Sequence, residues 1–246
     1  MLMAENLLTM RRRRRANGLR TFGQLSAPPA LWAEARNGVF QEISSPSTPS
    51  GVGNLVGTFT DLSGNGRSLA PAATARRGIL RSRTGGMAVE LDGTDDYYRA
   101  VFTLAQPFTR VFCFNQISWT SNDYLLDGAT NNTYYLHQQP SSPGLYSRSG
   151  GAILTLTPPA LGTPFVVTEV FDGANSKARI NKGAWATGTF SALAAGGVCV
   201  GGRGDGSGTF ASNVDFYGGA VFAAALSADD LDAATTYAGT LAGLSL

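Results

Sequence analysis

The sequence predicts an all-β fold: one large antiparallel sandwich, a single helix at its C-terminal end and a basic arm at its N-terminal end. Three observations carry this. Short apolar runs recur along the chain, many separated by turn dipeptides such as Asn65-Gly66, Asp127-Gly128, Asp172-Gly173 and Lys182-Gly183. The 246 residues include 31 Gly and 11 Pro, with 43% hydrophobic and only 15% charged residues, a balance suited to many short strands joined by tight turns. Helical periodicity is clear in one place only, near the end. At this length one β domain has a full core, and a second would be crowded.

Residues 1–24 read as an arm and 25–246 as the sandwich. The arm holds Arg11, Arg12, Arg13, Arg14, Arg15 and Arg20 against Glu5, a net charge of +5, whereas the remainder sums to −3. Its order, apolar before basic, is the reverse of a secretory signal. No apolar run reaches the 18 residues or so that a membrane span needs. An arginine block is expected to be held by acidic protein surfaces through paired guanidinium–carboxylate bonds, in preference to nucleic acid or to remaining a solvated tail.

Along the body, Pro28-Pro29 prevents a helix and Leu31-Trp-Ala-Glu-Ala35 starts the strands. Residues 44–53 are a loop by composition. Leu55 to Phe59 and Met87 to Leu91 border two polar turns, Asp61 to Gly66 and Asp92 to Asp96. From Phe108 to Trp119 both faces are largely apolar, so this strand should be central. Further strands are expected at 123–126, 133–137, 152–156, 164–171, 178–180, 184–189, 198–201 and 214–222. Ser227 to Leu241 is the helix: Ser227 is its N-cap, acids fill its first turn, Leu231, Ala234, Ala238 and Leu241 recur at helical spacing, and Gly243 ends it. Cys113 and Cys199 sit in apolar strands as buried free thiols.

The stretch TFTDLSGNGRSL…GGMAVELDGTDDYY, Thr58 to Tyr98, resembles the opening half of laminin-G-like domains, the concanavalin-A-like jelly rolls found in bacteriophage particle proteins. The resemblance extends, less specifically, to Leu31-Trp32-Ala33, Phe216 to Val221 and Leu226 to Asp230. It implies a two-sheet antiparallel jelly-roll sandwich. It also implies a virion protein (tail, fibre or capsid decoration) without enzymatic activity, fastened to other virion proteins by the arm, a homo-oligomer, and in contact with host-surface glycans. The weighed alternatives are a polysaccharide-degrading glycosidase-like enzyme, for which Glu90 and Asp92 would be essential, and a ligand-free cement protein.

Among chemistry-bearing residues, a single histidine, His137, and the absence of a nucleophile elbow argue against a triad. The spacing Asp61-x-Ser63-x-Asn65-Gly66 starts like an EF-hand, but Ala72 stands where the bidentate Glu is required. No cofactor is expected beyond a calcium ion that Asp92, Asp95 and Asp96 would hold, against the simpler reading of a hydrogen-bonded turn. Arg203-Gly204-Asp205 spells an integrin-type tripeptide, a string that turn composition produces readily. The preferred binding residues are aromatic and amide side chains on mid-chain strands and turns: Tyr124, Asn131, Asn132, Tyr134, Tyr135, His137 and Trp185. Aromatic faces stack on sugar rings and amides bond hydroxyls.

Overall fold

The computed structural model describes residues 19–130 and 132–246. Its strands are β1 (Leu31–Glu34), β2 (Val39–Phe40), β3 (Thr58–Phe59), β4 (Ile79–Arg83), β5 (Gly86–Asp92), β6 (Tyr98–Val101), β7 (Phe108–Gln116) and β8 (Tyr124–Asp127). They continue as β9 (Tyr135–Gln138), β10 (Leu145–Ser149), β11 (Ala152–Leu156), β12 (Phe165–Phe171), β13 (Ser176–Ile180), β14 (Ala186–Gly188), β15 (Gly197–Val200) and β16 (Asn213–Phe222), followed by helix α1 (Ala228–Thr240).

These strands build three sheets, which corrects the expected two-sheet jelly roll. An eight-stranded sheet runs β14-β13-β12-β7-β16-β5-β4 with β1 also paired to β16; a six-stranded sheet runs β11-β10-β9-β8-β15-β6; β2 and β3 form the third. The third sheet exists because Val39-Phe40 pairs with Thr58-Phe59 instead of joining a larger sheet. The eight-stranded sheet gains β1 through a bulge in β16. Between Phe216 and Gly218 the register slips, so that residues 213–216 pair with β5 and 218–221 with β1. Gly218 makes this exchange at φ +141°, and a Cβ there would lie 2.5 Å from the carbonyl oxygen of Ala33, so only glycine fits.

Strand β7 is central and buried throughout, as the sequence requires. Phe108, Phe112 and Phe114 face the six-stranded sheet and join Phe216, Leu126, Leu136, Val198 and Val200 in the main core. Val111 and Cys113 point the other way, into a second core under α1 with Tyr217, Phe222, Leu231, Ala234 and Tyr237. The Ser227 hydroxyl accepts the Asp230 N–H at 3.2 Å, the expected N-cap. Phe22 is fully buried in this second core, and Arg20 pairs with Asp230 at 2.7 Å and donates to the Asp229 carbonyl at 2.8 Å. From Arg20 onward the stretch read as an arm therefore packs on the body's own helix; Arg11 to Arg15 lie outside the described residues.

Between the two large sheets lies an ion pair, Arg110 on β7 with Glu169 on β12, at 2.8 Å and 1% and 0% exposed. Arg110 also donates to the Tyr134 carbonyl at 2.7 Å, and Ser147 on β10 donates to Glu169 at 2.6 Å. Charges from one sheet thus hold the backs of β9 and β10 in the other.

Candidate saccharide-binding face

Alternation along β9 and β10 sends Leu136, Leu145 and Ser147 inward and Tyr135, His137, Tyr146 and Arg148 outward, while on β8 a register shift between Tyr124 and Leu126 leaves Leu126 in the core and Tyr124 beside the outward rings. Register then places Tyr124 opposite His137, His137 opposite Tyr146, and Tyr135 opposite Arg148. The result is an aromatic face on the outside of the six-stranded sheet. Tyr124 and Tyr135 stack at 5.2 Å, His137 lies 5.1 Å from Tyr135 and 5.6 Å from Tyr146, and Phe210 reaches Tyr124 at 5.9 Å. Tyr124 and Tyr135 are 9% exposed and His137 3%, whereas Phe210 is 45% exposed, so the floor is recessed and the rim stands proud.

The rim is polar as well as aromatic. Exposed Asn132, at φ +55°, accepts the Tyr124 hydroxyl at 2.6 Å through Oδ1, which leaves its amide N–H2 toward solvent. Among the described residues both ring nitrogens of His137 are buried without a partner, and burial together with the charge of Arg148 pushes its pKa down to about 4, so the imidazole is neutral. It offers one donor and one acceptor to whatever reaches it.

Asp127 at the end of β8 sets the loops around this face. Fully buried, it accepts N–H bonds from Gly128 at 2.8 Å, Asn132 at 3.0 Å and Gly204 at 2.9 Å, joining the β8–β9 and β15–β16 loops. Burial raises its pKa to about 6 although the three N–H groups pull the other way. The tripeptide Arg203-Gly204-Asp205 lies in the second loop, but Arg203 bonds Asp205 at 3.1 Å and the Gly204 N–H is spent on Asp127.

At the far end of that loop, next to Gly208, the carboxylate oxygens of Asp92, Asp95 and Asp96 all lie within 4.8 Å of one another, a group able to hold a metal ion. Burial and then the neighbouring Asp92, Asp95 and Glu90 charges raise Asp96 to about 6, against the N–H bond it accepts from Asp92. Asp61, the other acidic turn residue, serves as a turn organiser, accepting the N–H groups of Trp32, Ser63 and Arg67. There the positive φ values fall on Gly64 and Gly66 rather than on Asn65.

Glu90 and Asp92 point outward on the eight-stranded sheet, the opposite side of the molecule from the aromatic face. Glu90 stands across from Asp215, and Arg83 bridges the two at 2.5 and 2.7 Å while Arg81 adds a bond at 3.2 Å. These arginines hold Glu90 below the usual carboxylate range against the opposing effect of burial.

Of the aromatic and amide candidates, Tyr124, Asn132, Tyr135 and His137 are brought together. Tyr134 points into the core, where its hydroxyl meets the Ser191 and Leu193 carbonyls and its ring packs on Phe108 and Phe171. Trp185 lies on the eight-stranded side, its ring faced by Arg179 at 4.2 Å and Lys177 at 4.6 Å. Asn131 falls outside the described residues. Tyr146, Arg148 and Phe210 were not foreseen. The strand Leu-Tyr-Ser-Arg-Ser, 145–149, hides its signal because Ser147 and Ser149 occupy its buried side.

No family model and no curated sequence matches the chain. Solved structures share its fold. The chain matches Trypanosoma rangeli sialidase over 86% of its length, with TM-score 0.59 and 10% identity, and spans 32% of that protein. A GH54 α-L-arabinofuranosidase matches over 88%, with TM-score 0.59 and 13% identity, and is itself 63% covered. Domain 4 of AbnA, a GH43 extracellular arabinanase from Geobacillus stearothermophilus solved with arabinotriose, matches over 85% with TM-score 0.57 and 14% identity, and 98% of that domain is covered. The chain therefore shares its fold with these solved structures, and that overturns the likeness to a bacteriophage jelly roll. The virion location, the virion-protein partners, the homo-oligomer and the non-enzymatic adhesion role rested on that likeness and are withdrawn with it. Of the readings the sequence offered, the polysaccharide-degrading alternative agrees best with these neighbours.

Proposed function

We propose that the chain acts on glycans as a glycosidase-type domain whose saccharide-holding surface is the face formed by Tyr124, Tyr135, His137 and Tyr146. One observation carries this reading: three adjacent strands turn their aromatic and imidazole rings to one recessed surface edged by an exposed amide. Stacked rings receive the C–H faces of a sugar, while Asn132 and the neutral His137 meet its hydroxyls. The arabinanase domain solved with arabinotriose, nearly all of which the chain matches, supports saccharide engagement by a unit of this size. The sialidase and arabinofuranosidase extend well beyond the matched region, in keeping with a chain that works beside other domains.

A sugar held at Tyr124 and Tyr135 does not reach the carboxylates of the other face, so hydrolysis by the chain itself would need a second saccharide contact there, at Glu90 with Asp215 across from it. Asp92, Asp95 and Asp96 would take calcium, a hard cation that prefers such oxygen ligands and would relieve the crowding of three negative charges. Binding is tested by titrating arabino-oligosaccharides into the protein and into Tyr124→Ala and Tyr135→Ala. Each truncation should weaken binding by about tenfold, as loss of roughly 1–2 kcal/mol of stacking implies. Hydrolysis is tested by release of reducing ends from arabinan, which Glu90→Gln and Asp215→Asn should abolish. Retained release in both variants would remove that carboxylate pair from the reaction.

A further inference from the structure

The arginines of the described chain are almost all accounted for. Eight pair with carboxylates. Arg67, Arg77 and Arg99 donate to backbone carbonyls. Arg148 does neither. Its guanidinium lies 5.4 Å over the Tyr135 ring and its Nε is buried with no acceptor. A half-buried guanidinium without an anion carries a desolvation cost that an incoming carboxylate would reverse, and its fork of N–H donors fits a carboxylate in two parallel bonds.

The surroundings keep that charge uncompensated. On β9 it faces Tyr135, beside the neutral His137, and its own neighbour on the outward side of β10 is Tyr146. Asp127, the carboxylate at the end of β8, has its oxygens committed to three backbone N–H groups. The depressed pKa of His137, to which Arg148 contributes, reports the same unbalanced positive charge.

We infer that the aromatic face selects acidic saccharides, with Arg148 binding the carboxylate of a uronic-acid unit whose ring rests on Tyr135 and Tyr124. This rests on the reading of that face as a saccharide site and adds the class of sugar it prefers.

The test is calorimetric titration of the whole chain with trigalacturonic acid, its methyl ester and arabinotriose. The acid should bind about tenfold or more tightly than the ester, and the difference should shrink as salt is raised, because the ester keeps every ring contact and loses only the charge. Arg148→Met should bring the acid down to the level of the ester. Arg148→Lys, which keeps a point charge without the fork, should fall between. Among the described residues the Arg148 side chain makes no hydrogen bond or ion pair, and both variants keep an aliphatic stem over Tyr135, so both should give a single cooperative melt, which separates recognition from folding. Equal binding of acid and ester, or an acid preference that survives in Arg148→Met, would overturn the inference. Binding of arabinotriose alone would overturn it while leaving the saccharide site standing. Failure of all three sugars to bind would bring down both.

Discussion

Glu169→Gln is the sharpest probe of what holds the aromatic face in place. It changes no shape, yet it leaves the Arg110 guanidinium, 1% exposed, without its counter-charge in the middle of the main core. Breaking a buried pair from one side costs about 3–5 kcal/mol, because the remaining charge stays desolvated. For a protein of this size that corresponds to a melting temperature lower by about 10 °C. The loss should be read by urea denaturation followed by tryptophan fluorescence and, separately, by near-ultraviolet circular dichroism. Arg110 also bonds the Tyr134 carbonyl and Glu169 accepts from Ser147, so the tyrosine signal of β9 and β10 should change before the chain unfolds. Replacing both partners, Arg110→Met with Glu169→Leu, removes the stranded charge and should recover most of the stability. A Glu169→Gln protein within about 1 kcal/mol of wild type would refute the reasoning, as would a double variant no better than the single one.

Three further outcomes follow from the same geometry. His137 titrates near 4 when folded and near 6.5 when unfolded, so its contribution to stability is intact above about pH 6.5 and is lost as the pH falls toward 4; relative to His137→Phe, the wild type should lose about 3 kcal/mol across that window in urea titrations. Asp96 behaves oppositely: its folded pKa near 6 makes its charged form destabilising as the pH rises from about 4 through 6, so at pH 7.5 calcium should raise the melting temperature of the wild type and leave Asp96→Asn unmoved, and an equal response in both would remove the carboxylate cluster as the ion's site. Gly218→Ala sets a methyl group 2.5 Å from the Ala33 carbonyl at a left-handed φ, and should destabilise the protein by about 1–3 kcal/mol with early hydrogen exchange in β1.

How far the sequence spoke for itself varied with the kind of signal each element carried. Strand β7 and helix α1 were legible because their periodicity is set by burial on known sides: Phe112 and Phe114 alternate with Val111 and Cys113, and Leu231, Ala234 and Ala238 repeat at helical spacing. Strands β4 and β6 were not, since Leu80, Arg81, Ser82 and Arg83 carry one buried apolar side chain among polar neighbours that the next strand alone makes sense of. The third sheet escaped because two-residue strands leave no period to read. Within the candidate face, Tyr124, Tyr135 and His137 were named only as aromatic side chains on mid-chain strands and turns, and Tyr134 could not be told from Tyr135 without knowing which way β9 begins. Arg148 was invisible for a different reason: its significance lies in having no carboxylate partner among the described residues, which only the positions of the other charges reveal.

The central claim is that saccharide is held on the outer side of β8, β9 and β10. Titration of the isotopically labelled protein with arabinotriose and with trigalacturonic acid, followed by amide chemical-shift mapping, addresses it directly. Shifts concentrated at residues 124–127, 132–138, 145–149 and 203–211 are the predicted result. Shifts gathered instead around Glu90, Arg83 and Asp215 on the opposite sheet, or an unchanged spectrum with both sugars at millimolar concentration, would contradict it.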